Sequence, residues 1–203
     1  MTRVTRAVPP AQPHPTLAGT TVNTLKIVVV GGFGVGKTTM VRSVSEIRPL
    51  HTEEVMSRAG RSLDDTTRVR KKSDTTVAFD FGRITIDENS VLYLFGAPGQ
   101  ERFWFLWDRV FAGTLGAVVL VDTRCLDDAG YAIDRLEHNG TPFIVAVNDF
   151  GGPFHSDEQI REALALGPEV PLMEFDARDH SSSKFVLLAL IEHMHALSLP
   201  HKD

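Results

Sequence analysis

Gly31 and Gly36 stand with four residues between them, and Lys37 and Thr38 follow directly. This G-x-x-x-x-G-K-[ST] spacing lets a backbone wrap a di- or triphosphate. The glycines allow a turn tight enough for successive N–H groups to point inward at phosphate oxygens. Lys37 brings a compact positive charge for the β- and γ-phosphates, and the Thr38 hydroxyl suits Mg²⁺. The candidate contacts are Gly31, Gly32, Phe33, Gly34, Val35, Gly36, Lys37, Thr38 and Thr39. A glycine-rich turn joining any strand to any helix has no need of Lys and Thr in that register. The chemistry indicated is nucleotide binding.

Such a loop needs a strand before it and a helix after it. Leu25, Ile27, Val28, Val29 and Val30 form a β-branched apolar run that predicts a buried strand. A helix is predicted from about 36 to 47, stopped near Pro49, and its positive end adds to the phosphate site. Residues 1–23 carry Pro9, Pro10, Pro13 and Pro15 without hydrophobic periodicity and predict a disordered tail. From His51 to Thr75 the chain is polar and irregular, with a basic cluster at Arg68, Arg70, Lys71 and Lys72. A solvated loop is the expectation there, with contact to phosphate or an acidic partner as the alternative.

Beyond it, 76–86 and 91–95 predict an antiparallel hairpin turned at Asp87-Glu88-Asn89. Strands follow at 115–121, 142–147 and 170–175, and helices at 101–111, 126–138, 156–166 and 182–197. Strands alternating with helices mean a mostly parallel sheet covered on both faces. The expectation is an α/β fold with six strands, one of them an antiparallel edge strand, forming a single domain over residues 24–200.

The whole chain bounds the function. Its 203 residues suffice for one well-buried core, and the net charge of −5 argues against direct nucleic-acid binding. Cys125 is the single cysteine, which excludes an internal disulfide and fits a reducing cytoplasm. No apolar run reaches the ~20 residues of a membrane-spanning helix. The N-terminus lacks the apolar region of a secretory signal, and Met1-Thr2 does not suit myristoylation. The expectation is a cytoplasmic protein that meets membranes only through partners.

In a sheet of this kind the ligand sits at the carboxyl ends of the strands, here Gly31–Thr39, Gly96–Gln100, Asp122–Cys125, Asn148–Gly152 and Asp176–Arg178. These loops resemble those of the Ras-like small GTPases over roughly residues 24–197. Gly31–Thr38 is the phosphate loop, and Thr76-Val77-Ala78-Phe79-Asp80-Phe81 is similar to the first switch. Pro98-Gly99-Gln100-Glu101 resembles the second switch, Asn148 opens the base motif, and Asp176-Ala177-Arg178 resembles the last base-contacting loop. The P-G-Q form resembles the bacterial gliding-motility branch. GGFGVGKTTMVRSVSEIRPLHTEEV, AFDFGRI and LYLFGAPGQERFWFLWD resemble the small GTPase-like protein of actinobacterial conservon operons.

The resemblance implies a P-loop NTPase that uses Mg²⁺ and GTP/GDP, with ATP not excluded. Its implied partners are a Roadblock-type regulatory protein and a sensor-kinase-like protein, beside a DNA-binding regulator. Lys37, Gln100 and Thr76 would be catalytic, with Gln100 aligning the attacking water and Thr38 and Thr76 holding the metal. Gly99 would sense the γ-phosphate, and Asn148, Asp149, Asp176, Ala177 and Arg178 would meet the base.

Three positions depart from that pattern. Gly96 replaces the aspartate that usually opens the second switch, and Asp80 is no obvious substitute. Gly151 replaces the carboxylate that reads guanine, so a GTP preference weaker than in the intact motif is expected. Phe33 stands where a glycine usually leaves room for an arginine finger. These departures keep open a catalytically weak nucleotide-binding scaffold. A nucleotide kinase would need a lid bearing Arg68 and Arg70, and the P-G-Q loop speaks against it. The aromatic run Phe103–Trp107 covers more than one helical face, so core packing and a partner surface both remain open. Asp122 is expected as a cap or loop ligand.

Overall fold

The strand β1, Asn23–Gly31, is flanked on both sides by parallel neighbours and ends fully buried. Its alternate residues point to opposite faces of the sheet, and the two faces carry separate cores. In this computed structural model, which describes residues 23–48, 50–56, 75–152 and 154–199, Ile27 and Val29 join one core with Met40, Val41, Val186, Leu187 and Leu190. Val28 and Val30 join the other with Trp107, Ile133, Leu136, Ile160 and Leu164. The tail expected at 1–23, apart from Asn23, and the basic cluster Arg68–Lys72 lie outside the described residues.

The elements in order are α1 Lys37–Val44, β2 Leu50–Met56, β3 Thr75–Thr85, β4 Ser90–Gly96, α2 Trp107–Phe111 and β5 Gly116–Val121. Then come α3 Gly130–His138, β6 Phe143–Asn148, α4 Asp157–Ala163, β7 Leu172–Phe175 and α5 His180–Ser198. The sheet order is β2-β3-β4-β1-β5-β6-β7. β4, β1, β5, β6 and β7 are mutually parallel, while β3 runs antiparallel to β4 and to β2. The six expected strands with one antiparallel member are therefore present, with helices on both faces.

One element was not expected. β2 lies within the stretch read as an irregular loop and pairs with β3 from Leu50↔Phe81 to Met56↔Thr75, so β3 is no longer the edge. Its sequence, LHTEEVM, lacks a clean apolar alternation, as suits an edge strand with charges that deter further pairing. For β2 and residues 75–78 the backbone alone is described.

Two expected helices begin as 3₁₀ turns, Glu101–Leu106 and Leu126–Ala129. In the first, the three-residue period stacks Phe103 with Leu106 in one apolar cluster and Trp104 beside Trp107 in another contact. Phe103, Trp107 and Phe111 are buried, Trp104 lies flat on Tyr131 at 3.5 Å, and Phe105 is exposed. Core packing therefore accounts for most of the aromatic run. Helix α4 starts with a reciprocal capping box between Ser156 and Gln159, and Asp179 caps α5 through the Ser182 N–H. Among the described residues no helix is long and apolar enough to cross a membrane.

Leu190 of α5 is fully buried against the sheet, where a Cβ added at Gly116 would meet its Cδ1 at 3.2 Å. Leu190→Ala should lower the unfolding free energy by about 3 kcal/mol in urea denaturation. A loss under about 1 kcal/mol would mean that α5 does not pack there as described.

Candidate functional site

The phosphate loop is built where β1 gives way to α1. Gly31 has φ 131°, and a side chain there would collide with the Leu120 carbonyl. Gly36 has φ 105°, and its Cβ would lie 2.6 Å from Asn148 Nδ2. Both positions exclude L side chains by conformation and by space. Lys37 is 8% exposed and donates from Nζ to the carbonyls of Gly31 and Gly32. Burial pushes its pKa down to about 8, and the carboxylates of Asp80 and Asp128 counter part of that shift. Asp128 stands against Gly32, whose Cβ would meet the Asp128 Cβ at 2.7 Å.

Asp80 corrects the sequence reading, which saw no obvious replacement for a carboxylate at Gly96. The antiparallel register places Asp80 opposite Gly96, and a side chain at 96 would meet the Asp80 Cβ at 2.9 Å. The missing side chain of Gly96 is what makes room for Asp80. Asp80 is buried and accepts a hydrogen bond from the Thr38 hydroxyl. Two hard oxygen donors side by side beside a phosphate loop fit Mg²⁺. Thr76 sits four residues before Asp80 on β3, about 13 Å along an extended strand, paired with Val55. The described residues thus put Asp80 beside Thr38, and the Thr76 side chain lies outside them. The only sequence signal for Asp80 was a carboxylate between two phenylalanines of a strand.

Gly99 lies on the phosphate loop itself. A Cβ there would come 2.7 Å from Lys37 Nζ and 2.7 Å from the Gly32 carbonyl. Gln100 lines the same cavity of about 480 Å³ with Phe33, Lys37, Thr38, Asp80 and Phe103. The Trp107 indole N–H donates to the Pro98 carbonyl at 3.2 Å, tying this loop to the aromatic core. Phe33 is 76% exposed at the cavity's rim.

A second cavity of about 480 Å³ shares Gly34, Gly36 and Thr39 with the first and is completed by Asn148, Asp149, Phe150, Gly151, Ala177 and Arg178. Asn148 is buried; its Nδ2 donates to the Val35 carbonyl, and its Oδ1 accepts from the Ala177 N–H. One side chain therefore joins the phosphate loop to both base-side loops. Asp149 accepts from the Gly151 N–H, and Asp176 is paired with Arg178. That pairing holds the Asp176 carboxyl below the usual carboxylate range. Asp122 has a loop role, accepting from the Arg124 backbone and guanidinium. The arrangement brings Lys37, Thr38, Asp80, Gly99 and Gln100 to one end and the loops at Asn148–Gly151 and Ala177–Arg178 to the other.

Residues 29–196 match a family described as a conserved hypothetical ATP binding protein. The chain is 33% identical over 126 residues to the uncharacterized protein MJ1339 of Methanocaldococcus jannaschii, covering 61% of this chain and 69% of that protein. Its fold matches the FeoB G-domain from Methanococcus jannaschii with a TM-score of 0.55 at 13% identity, covering 86% of this chain and 99% of that one.

With a Lys37 pKa near 8, raising the pH deprotonates the free protein's ammonium, so polyphosphate binding then requires proton uptake. ATP affinity should fall about fourfold between pH 7 and pH 8.5 in calorimetric titrations. Lys37→Arg keeps its charge at both pH values and should remove the dependence. An unchanged slope in that variant would place the titrating group elsewhere.

Proposed function

The chain belongs to this family of ATP-binding proteins, with a P-loop NTPase fold of the G-domain type, and from that premise we propose a nucleotide-dependent switch. In this reading it binds GTP, hydrolyses it slowly and serves bacterial signal transduction in the cytoplasm. The observation that carries the proposal is Gly99 lying against both Lys37 Nζ and the Gly32 carbonyl. A terminal phosphate taken by Lys37 must engage or displace the loop Gly96–Gln100, so its presence changes that loop.

Each residue's part follows from its placement. Lys37 exchanges two backbone carbonyls for β- and γ-phosphate oxygens. Backbone N–H groups of Gly32–Thr38 hold the phosphates, and Gln100 orients water at the terminal one. Thr38 and Asp80 would hold Mg²⁺, which when bound neutralises phosphate charge. Thr76, the other ligand that the resemblance implies, would have to leave its pairing with Val55 to reach it. The resemblance to the small GTPase-like protein of conservon operons suggests the partners we propose, a Roadblock-type regulatory protein and a sensor-kinase-like protein. Phe33 at the cavity rim favours slow turnover, since its exposed ring obstructs the approach of a partner's arginine. The same side chain supports a second reading, a nucleotide-binding scaffold without useful turnover.

Gln100→Leu separates the two. It should leave nucleotide affinity similar and lower single-turnover phosphate release from GTP at least ~10-fold, because only water positioning is lost. Equal, very slow release by both proteins would favour the scaffold.

A further inference from the structure

We infer that Phe150 is the platform on which the nucleotide's base stacks, and that the site takes guanine and adenine with similar affinity. The inference rests on the nucleotide-binding reading above and concerns how that site treats the base. The base-side cavity meets the phosphate cavity over Gly34, Gly36 and Thr39, so a nucleotide whose phosphates lie on the loop places its base there.

The buried polar groups at this cavity are already engaged within the protein. Asn148 spends its amide nitrogen on Val35 and its oxygen on Ala177, which removes the Ala177 N–H as a free donor. Asp176 and Arg178 hold each other through two hydrogen bonds, and Asp149 closes a turn onto Gly151. Gly151, at φ 66°, offers no side chain, and a Cβ there would meet nothing within 4 Å. Reading guanine through Asn148 or the Ala177 N–H would mean breaking internal bonds, which offsets the bonds gained. Strong base discrimination comes from buried partners left unpaired by the wrong ligand, and among the described residues lining this cavity none is both buried and unpaired.

Phe150 remains. Its ring lines the cavity, is 40% exposed, and carries the Arg124 guanidinium 4.6 Å from its centroid. Arg124 is itself paired with Asp122. Aromatic stacking binds any base, because every base has a π-face, and so gives affinity without selectivity.

Calorimetric titration of the full chain with GTP, ATP and inorganic triphosphate tests this. The two nucleotides should bind within about tenfold of each other. Phe150→Ala should weaken both about tenfold and leave triphosphate unchanged, and Phe150→Tyr should restore both. A GTP preference above about a hundredfold, or nucleotide affinities unmoved by Phe150→Ala, would overturn the inference. Triphosphate binding as tightly as the nucleotides would overturn it as well, while leaving the phosphate site intact. Failure of all three ligands to bind would overturn the nucleotide reading itself.

Discussion

A buried ammonium has to be satisfied at Lys37, and much of the structure around the phosphate loop follows from that. Burying a charge without partners costs several kcal/mol, so the chain brings partners from distant segments. Two carbonyls come from Gly31 at the end of β1 and Gly32 just beyond it, and the carboxylates of Asp80 and Asp128 come from β3 and the turn before α3. Each of these needs a neighbour without a side chain: Gly96 beneath Asp80, Gly32 beside Asp128, and Gly99 over Nζ. The glycines are thus spaced by the needs of one cation, as well as by the turns of the backbone. A ligand rich in anionic oxygen can replace the carbonyls without disturbing the carboxylates.

The same economy ties the two ends of the site together. Asn148, at the end of β6, bonds to the phosphate loop on one side and to Ala177 on the other. Pro98 bonds to Trp107, whose ring packs on Phe111 and Tyr131 in the core. Tyr131 in turn stacks on Trp104. The loop bearing Gly99 is therefore joined to helix α3 through packed rings.

The phosphate loop and the alternating strands and helices were legible because each is encoded locally, by glycine spacing or by apolar runs. Asp80 was not, because its role depends on a cross-strand register that puts residue 80 opposite residue 96. Nor was β2, since an edge strand containing Glu53 and Glu54 lacks the apolar alternation that marks a half-buried one. Asp128 was missed for a similar reason: its contact with Gly32 spans two connections of the fold. The engaged state of Asn148 and Ala177 is likewise a product of three loops meeting, and no single stretch announces it.

We propose that the loop Gly96–Gln100 reports the terminal phosphate through its seat on Lys37. Amide hydrogen exchange across this loop, with a non-hydrolysable triphosphate and then with the diphosphate bound to saturation, tests it most directly. Gly99 and Gln100 should differ clearly in protection between the two ligands, with a smaller change reaching Trp107 and Tyr131. Identical protection at Gly99 and Gln100 in both states would contradict it.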